Sequence, residues 1–581
     1  MDTLLLNGND LYKAFIAGAN KLISQRAHLN KINVFPVADG DTGTNMGYLM
    51  QTIVLEAKMS PSASETMESI ANAALNGSRG NSGIIFSEYL NGLFEAVKGK
   101  VSVSTHEFAE AATLGIKRAY LAMMNPVEGT ILTVLRKAFD HNKTDNFNVY
   151  FKESLQKAKI ALEETPKELK VLADNKVVDA GAAGFTAFLE GIHSYFETGL
   201  FGSVESIELE EDVIEFHDME ITERYCTEGM ILNPTLSKEQ LKELFEKEGS
   251  SLIVSGRADK MRLHIHTDRP DQFFLKLAGV GQIVEQKVDD MARQVEAIKE
   301  GHPRVAVVTD SIADLPEFIM DDYSIHLVPV NLLVDGVNFL DKVTISSETF
   351  YDILKNATSV SSAQPSQKAI ERSLDFLVDH YDEIVVVTVA SKLSGTYNSF
   401  VQYAKTHPKV HVFDSRQNSG AEGLVALEAA KLAVAGKSAK EITALLDDFT
   451  SRTKIYVSMD TLKYMVRQGR ISKFKGILAK VMNMKPVIGL GPDGAGVIID
   501  KAFNRRATFK KINALLLKHK VIQYSIVHAG AASLAESYAL EVQALTGIKP
   551  LFITNISPIV AMNAGIGSVA IAVTYESWNE L

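Results

Sequence analysis

Two aspartates flank a glycine at Asp39-Gly40-Asp41, inside the stretch NVFPVADGDTGTNMG over residues 33–47. Carboxylates two residues apart on a glycine-hinged loop can converge on one hard cation. Mg2+ needs only one or two of them, because phosphate oxygens and waters complete its octahedron. Thr42, Gly43, Thr44 and Asn45 then open a helical pattern, and the amide dipoles at a helix start favour phosphate. Asp-Gly-Asp also occurs in ordinary capped turns, so the tripeptide alone decides little. The stretch NGSRGNSG over residues 76–83 adds weight. There Gly77, Gly80 and Gly83 recur every third residue, just before another helical pattern. Glycine permits the positive φ and close backbone approach that a phosphate cradle needs. Ser78, Asn81 and Ser82 add donors. Two such turns at helix starts in one region strengthen the phosphate reading and make Asp39 and Asp41 candidate metal ligands.

A second set of residues has the types that bind a softer metal. Cys226 and Glu228 stand two apart in the strand-like run RYCTEGMIL, and His264 and His266 two apart in MRLHIHTD. Period-two alternation puts each pair on one face of its strand. If the strands are neighbours, Cys226, His264 and His266 make a zinc site with Glu228 or water as fourth ligand. A buried free cysteine with two incidental histidines is the competing reading. Arg467, Arg470 and Lys473 form a basic turn, whose usual reading is a solvated charged face.

These residues need elements to carry them. Over the first two hundred residues, apolar side chains recur at helical spacing at 10–29, 45–57, 63–76, 82–97, 106–123, 128–140, 149–163 and 179–197. That predicts an all-α bundle of about eight helices over residues 1–200. From Gly202 to Asp218 acidic and β-branched residues alternate, and the two strand-like runs follow with the helical stretch LSKEQLKELFEKEG between them. A small α+β domain over 201–300 is expected, ending in a helix near residue 299. Gly301-His302-Pro303 reads as a boundary. Beyond it, RVAVVTD, IHLVPVNLLV, EIVVVTVAS, KVHVFDS, KIYVSMD, GVIIDKA, YSIVHAG and PLFITN alternate with amphipathic helical stretches. That predicts α/β layers with at least one parallel sheet over 301–581.

Composition sets the outer limits. A chain of 581 residues exceeds one ordinary core. The formal net charge of −11 argues against general nucleic-acid binding or an anionic membrane surface. The single cysteine, Cys226, cannot form an intrachain disulfide, which argues against a secreted, disulfide-stapled protein. The opening MDTLLLNGNDLYKAF has no basic segment followed by a long apolar one, so no signal peptide is expected. The longest apolar runs, such as Ile384 to Ala390, are strand-sized. A cytoplasmic protein without stable membrane insertion is expected.

Four motifs in order, NVFPVADGDTGTNM, GSRGNSGIIFSEYL, NPVEGTILTVLR (125–136) and VVDAGAAGF (177–185), resemble the nucleotide-binding domain of dihydroxyacetone kinases. They are closer still to the kinase domain of bacterial fatty acid kinases. The resemblance implies an eight-helix barrel that binds ATP, with Asp39 and Asp41 on Mg2+, the 77–83 loop on the phosphates, and Thr130 and Asp179 at the nucleotide. Dihydroxyacetone kinases use a third aspartate upstream; Asn33 stands at the nearest match, which leaves the number of metal ions open. The YCTE and HIHTD pieces resemble the central domain of the same kinases, where zinc is associated with Cys and His at these places.

From residue 304 onward the chain resembles the DegV family of fatty-acid-binding proteins, through VVTDSIADLP, SSAQPS, SKLSGTYNS, FDSRQNSGAEG and LKYMVRQGRISK. A fatty-acid head needs hydroxyl and amide donors at one end of an apolar slot. Ser394, Gly395 and Thr396 lie where a strand gives way to a helix, and Ser362 sits in a loop before Pro365. By resemblance Ser362 and Ser394 bind the carboxylate; ordinary turn and cap roles are the plainer alternative. Asn563 stands where the family commonly has a histidine, and it cannot become cationic. By resemblance the basic turn docks against the kinase and its triphosphate, Arg470 foremost.

Together these features imply a fusion that phosphorylates a bound fatty acid to an acyl phosphate. The expected partners are the fatty acid, an acyltransferase that uses the product, and a second copy of the chain in a homodimer. Two alternatives stay open: a kinase for a small hydroxylated substrate, although the substrate domain of dihydroxyacetone kinases has no counterpart here, and a noncatalytic lipid sensor.

Overall fold

A computed structural model describes residues 3–140, 144–202, 221–299, 301–461, 464, 465, 468 and 485–578. The chain divides into two compact units, Met1–Lys299 and Glu300–Leu581. Arg467, Arg470 and Lys473 of the basic turn lie outside the described residues, as does the acidic stretch beyond Gly202.

The first unit opens with ten helices: α1 (Gly8–Ser24), α2 (Arg26–Lys31), α3 (Thr42–Glu56), α4 (Ala63–Gly77), α5 (Gly80–Val97), α6 (Thr105–Ala122), α7 (Ile131–Ala138), α8 (Phe147–Glu168), α9 (Lys170–Asp174) and α10 (Ala180–Thr198). The stretch expected as one helix over 10–29 breaks at Gln25, and α9 is a short addition. The region is not purely helical. β1 (Leu5–Asn7) and β2 (Ser102–Ser104) pair antiparallel at its edge. Side chains that accept from free amides start the helices: Asn7 for α1, Ser62 for α4, Asn146 for α8, and a Ser104–Glu107 capping box for α6. The core is aromatic, with Phe86 edge-on to Phe185 and Phe188 at centroid distances of 5.6 and 5.0 Å.

The middle segment of this unit is a four-stranded antiparallel sheet in the order β4-β5-β3-β6. Its strands are β3 (Tyr225–Leu232), β4 (Ser250–Arg257), β5 (Lys260–Thr267) and β6 (Gln282–Asp290). The expected pair is β3 and β5, and they are neighbours. β4 and β6 are unread in the sequence. β6 has exposed and half-buried apolar positions at its start, which blurs the alternation.

In the second unit β7 (Val305–Asp310), β8 (Ile325–Val328), β12 (Glu383–Thr388) and β13 (Val410–Asp414) form a parallel sheet in the order β13-β12-β7-β8. A three-stranded antiparallel sheet joins β9 (Asn331–Val334), β10 (Val337–Leu340) and β11 (Val360–Ala363). A six-stranded sheet runs β16-β15-β14-β19-β17-β18. Its strands are β14 (Thr453–Ser458), β15 (Val487–Leu490), β16 (Gly496–Asp500), β17 (Val521–His528), β18 (Ile553–Asn555) and β19 (Val569–Tyr575). The helix Ser419–Val434, apolar around its circumference, is buried in this unit beside both large sheets. Ser362 corrects one expectation. It lies on β11, paired with Leu332 of β9, rather than in a loop.

Candidate functional site

Strand register assembles the first site. Across the middle sheet Asp289, Cys226 and His266 stand directly opposite one another, and so do Lys287, Glu228 and His264 two residues along. Opposed residues on antiparallel strands share a face. That face meets the glycine turn between α4 and α5: Gly80 N donates to Glu228 Oε1 at 2.6 Å. Lys260 Nζ donates to Asn76 Oδ1 at 2.6 Å beside it. Glu228 is wholly buried, with Arg262 at 3.3 Å and His264 Nδ1 at 3.4 Å. Burial opposes its ionisation, but Lys287, His264 and Arg262 outweigh burial and hold its carboxyl well below the usual range.

The ligand atoms of Cys226, His264 and His266 all lie within 4.8 Å of one another, and the three residues are buried. Zinc bound by one sulfur and two nitrogens would hold them about 3.5 Å apart, so the donor set fits after a contraction of about an ångström. Burial, followed by the influence of His264, lowers the His266 pKa to about 3, so its ring is neutral at physiological pH, as a ligand must be. Glu228 is engaged by Gly80 and Arg262, which disfavours it as a fourth ligand.

The loop carrying Asp39 and Asp41 stands against the same face. Asn33 does not act as a third acid; its amide is a bracket. Its Nδ2 donates to Asp39 Oδ1 at 2.8 Å and to Val37 O at 2.9 Å, while its Oδ1 accepts from Thr42 Oγ1. Asn45 Nδ2 donates to Asp41 Oδ2 at 2.7 Å. Burial pushes the Asp39 carboxyl well up, and Asp41 adds to it. Burial also raises Asp41, opposed by Lys287 and reinforced by Asp289. Two half-buried acids that disfavour sharing negative charge suit a divalent cation, which reverses that preference.

The remaining nucleotide-site candidates divide. Asn81, Ser82, Thr130 and Asp179 line one cavity of about 230 Å³ with Pro36 and the middle-domain residue Leu252. Asn81 Oδ1 is buried there without a hydrogen-bond partner among the described residues. Thr130 and Asp179 also cap α7 and α10, and burial raises the Asp179 pKa to about 6. Thr44 is tied instead to Asn30, its amide 2.9 Å from Asn30 Oδ1. Ser78 is buried, and its Oγ donates to Leu75 O at 3.0 Å near the end of α4. Gly77 ends α4 against Thr52, where a Cβ would come within 2.6 Å, and Gly83 lies within α5. Sequence reasoning missed Lys287, Asp289 and Arg262, because β6 was unread and Arg262 precedes the histidine pair unremarked.

In the second unit a cavity of about 360 Å³ is lined by Ser362, Gln364, Ser394, Gly395 and Asn563 together with apolar side chains such as Val457 and Ile559. Its volume is within the range of small-molecule sites. Gly395 lets this polar group close up, since a Cβ there would fall 1.9 Å from Gln364 Oε1. Thr396 is fully buried behind it, sharing a 2.8 Å hydrogen bond with Ser394 Oγ, and so positions Ser394. Gln364, part of the SSAQPS motif, was not singled out.

Comparison with known proteins assigns three regions. The chain matches the family models of the DAK2 domain over residues 36–194, the fatty-acid-kinase-A-like middle domain over 222–298, and the DegV family over 304–576. It is 31% identical over 317 residues to an uncharacterized protein of Staphylococcus saprophyticus, covering 51% of this chain and 57% of that one. It is 30% identical over 331 residues to one of Staphylococcus aureus, covering 53% and 60%. The chain thus spans a little over half the length of these curated relatives. A fatty-acid-binding DegV family protein of Thermus thermophilus is similar at 24% identity and a TM-score of 0.44, over 47% of this chain and 99% of that one. DegV of Bacillus subtilis, a fatty acid binding protein, is similar at 23% and 0.44, over 47% and 100%. Among the described residues no helix is long and apolar enough to cross a membrane.

Proposed function

We propose that this chain, a DAK2 domain and a fatty-acid-kinase-type middle domain joined to a DegV-type domain, transfers the γ-phosphoryl group of ATP to the carboxylate of a fatty acid. The observation that carries the reading is the presence in one chain of both reactant sites. One is a paired-carboxylate loop at a helix start, with half-buried Asp39 and Asp41 acting on each other's charge. The other is an apolar cavity with serine hydroxyls in its lining.

The second unit buries the alkyl chain, and Ser362 and Ser394 bind the carboxylate. Asp39 and Asp41 would hold Mg2+, which would supply charge neutralisation on the phosphates. A carboxylate oxygen attacks the γ-phosphorus in line, the bond to the β-phosphate oxygen breaks, and acyl phosphate and ADP leave. A fatty acid is already ionised near neutral pH, so no general base is required; positioning and electrostatics carry the rate. Fusion supplies the carrier at high effective concentration.

The test incubates purified protein with MgATP and a long-chain fatty acid and traps acyl phosphate as a hydroxamate. Formation is expected, with loss in Asp41→Ala and weakened fatty-acid affinity in Ser394→Ala. ATP consumption with unchanged turnover in Asp41→Ala would sink the site assignment, and no hydroxamate with any fatty acid would sink the substrate.

A further inference from the structure

We propose that Lys287, on β6 of the middle domain, is a phosphate-binding residue of the kinase site; this rests on the kinase reading above. Its side chain is 4% exposed, and its Nζ lies 2.6 Å from Asp289 Oδ2, 3.5 Å from Asn45 Oδ1 and 3.8 Å from Glu228 Oε1. Only the first of these is a short hydrogen bond. An ammonium has three N–H groups, so this one has donors to spare although it is buried.

Its position is set by register and packing. Lys287 stands opposite Glu228, whose carboxylate takes the amide of Gly80 at the start of α5. From there it reaches Asn45 of α3, and Asn45 holds Asp41 at 2.7 Å. A cation held by Asp39 and Asp41 would bring phosphate oxygens beside their carboxylates. Lys287 reaches that loop through Asn45, which holds Asp41. A triphosphate brings more negative charge than one Mg2+ neutralises, and lysine serves as a point charge for phosphate. Arg262 is committed to Glu228 and Glu285.

The simpler role for Lys287 is neutralising the acids where the helical region and the middle sheet meet. The two roles differ in what they do to phosphate recognition. Binding of MgATP and of adenosine is measured for the full chain by calorimetry or competition with a fluorescent nucleotide. In Lys287→Met, MgATP affinity is expected to fall roughly ten- to hundredfold, the worth of a hydrogen bond to a charged group, with adenosine affinity unchanged. Because Lys287→Met leaves half-buried Asp289 without this partner, the double variant Lys287→Met/Asp289→Asn removes both charges together. It is expected to fold and show the same selective loss, while Lys287→Arg retains part of the affinity.

Equal losses for ATP and adenosine, or MgATP affinity within twofold of the unmodified protein in the double variant, would overturn the proposal. Failure of the unmodified protein to bind MgATP would overturn both this and the kinase reading. Selective loss in a protein that phosphorylates no fatty acid would support Lys287 and reject the substrate.

Discussion

Replacing Gly80 with alanine tests the junction between the glycine turn and the metal loop. Gly80 has φ +60, and a Cβ there would lie 2.5 Å from Asn45 Nδ2. Two costs follow. Holding a residue with a Cβ in the left-handed region costs about 1–2 kcal/mol. Pushing Asn45 aside breaks its bond to Asp41, and a hydrogen bond to a charged group contributes about 1.5–3 kcal/mol. The total is about 3–5 kcal/mol, or roughly 5–8 °C in Tm for a unit the size of Met1–Lys299. Two other glycines separate the contributions. Gly99 has φ +79 with open space around its Cβ position, so Gly99→Ala measures the backbone cost alone. Gly83 lies within α5 with its nearest neighbour at 3.7 Å and no positive φ, so Gly83→Ala is neutral or stabilises by up to about 1 kcal/mol. The assay is thermal unfolding of the three variants, paired with MgATP affinity. Gly80→Ala is expected to lose both stability and nucleotide affinity, and Gly99→Ala only about 1–2 kcal/mol of stability. A Gly80→Ala protein no worse than Gly99→Ala would refute the close approach between the turn and Asn45.

Protein purified without a histidine tag should carry about one zinc per chain by elemental analysis, lost in Cys226→Ser, because the three donors converge on one point; zinc-free protein would reject the site. In the second unit Glu422 is fully buried, and burial, followed by Asp310 and Asp314, raises its carboxyl well above the ordinary value. Asp310 is raised to about 6 and Asp341 to about 7, both chiefly by burial. A raised acid stabilises fully below its unfolded pKa, near 4, and loses that contribution as pH rises through its folded value. Glu422→Gln should therefore raise the Tm of this unit at pH 8 by roughly 2–3 °C, for about 1–2 kcal/mol. It should have little effect at pH 5, and an equal shift at both pH values would reject the buried-acid account.

Much of this protein is local, and local features are legible in a sequence. The helices around residues 45–57, 63–76, 82–97 and 106–123 coincide with α3 to α6 within a few residues, because a 3.6-residue apolar period needs no distant partner. The Asp39-Gly40-Asp41 loop and the Ser394-Gly395-Thr396 turn are likewise contiguous, so their chemistry can be read in place. The pairing of Cys226 with His266 was foreseeable only as a condition on strand neighbours. Register then met that condition. What the tertiary structure alone decided is which distant polar groups share a buried face. Glu228 reaches the amide of Gly80 across 148 positions, and Lys287 reaches Asn45 across 242. Neither contact leaves a periodic trace, since each depends on a single side chain meeting another element. Desolvation makes those meetings decisive, because a buried charge must find its partner wherever the fold brings one.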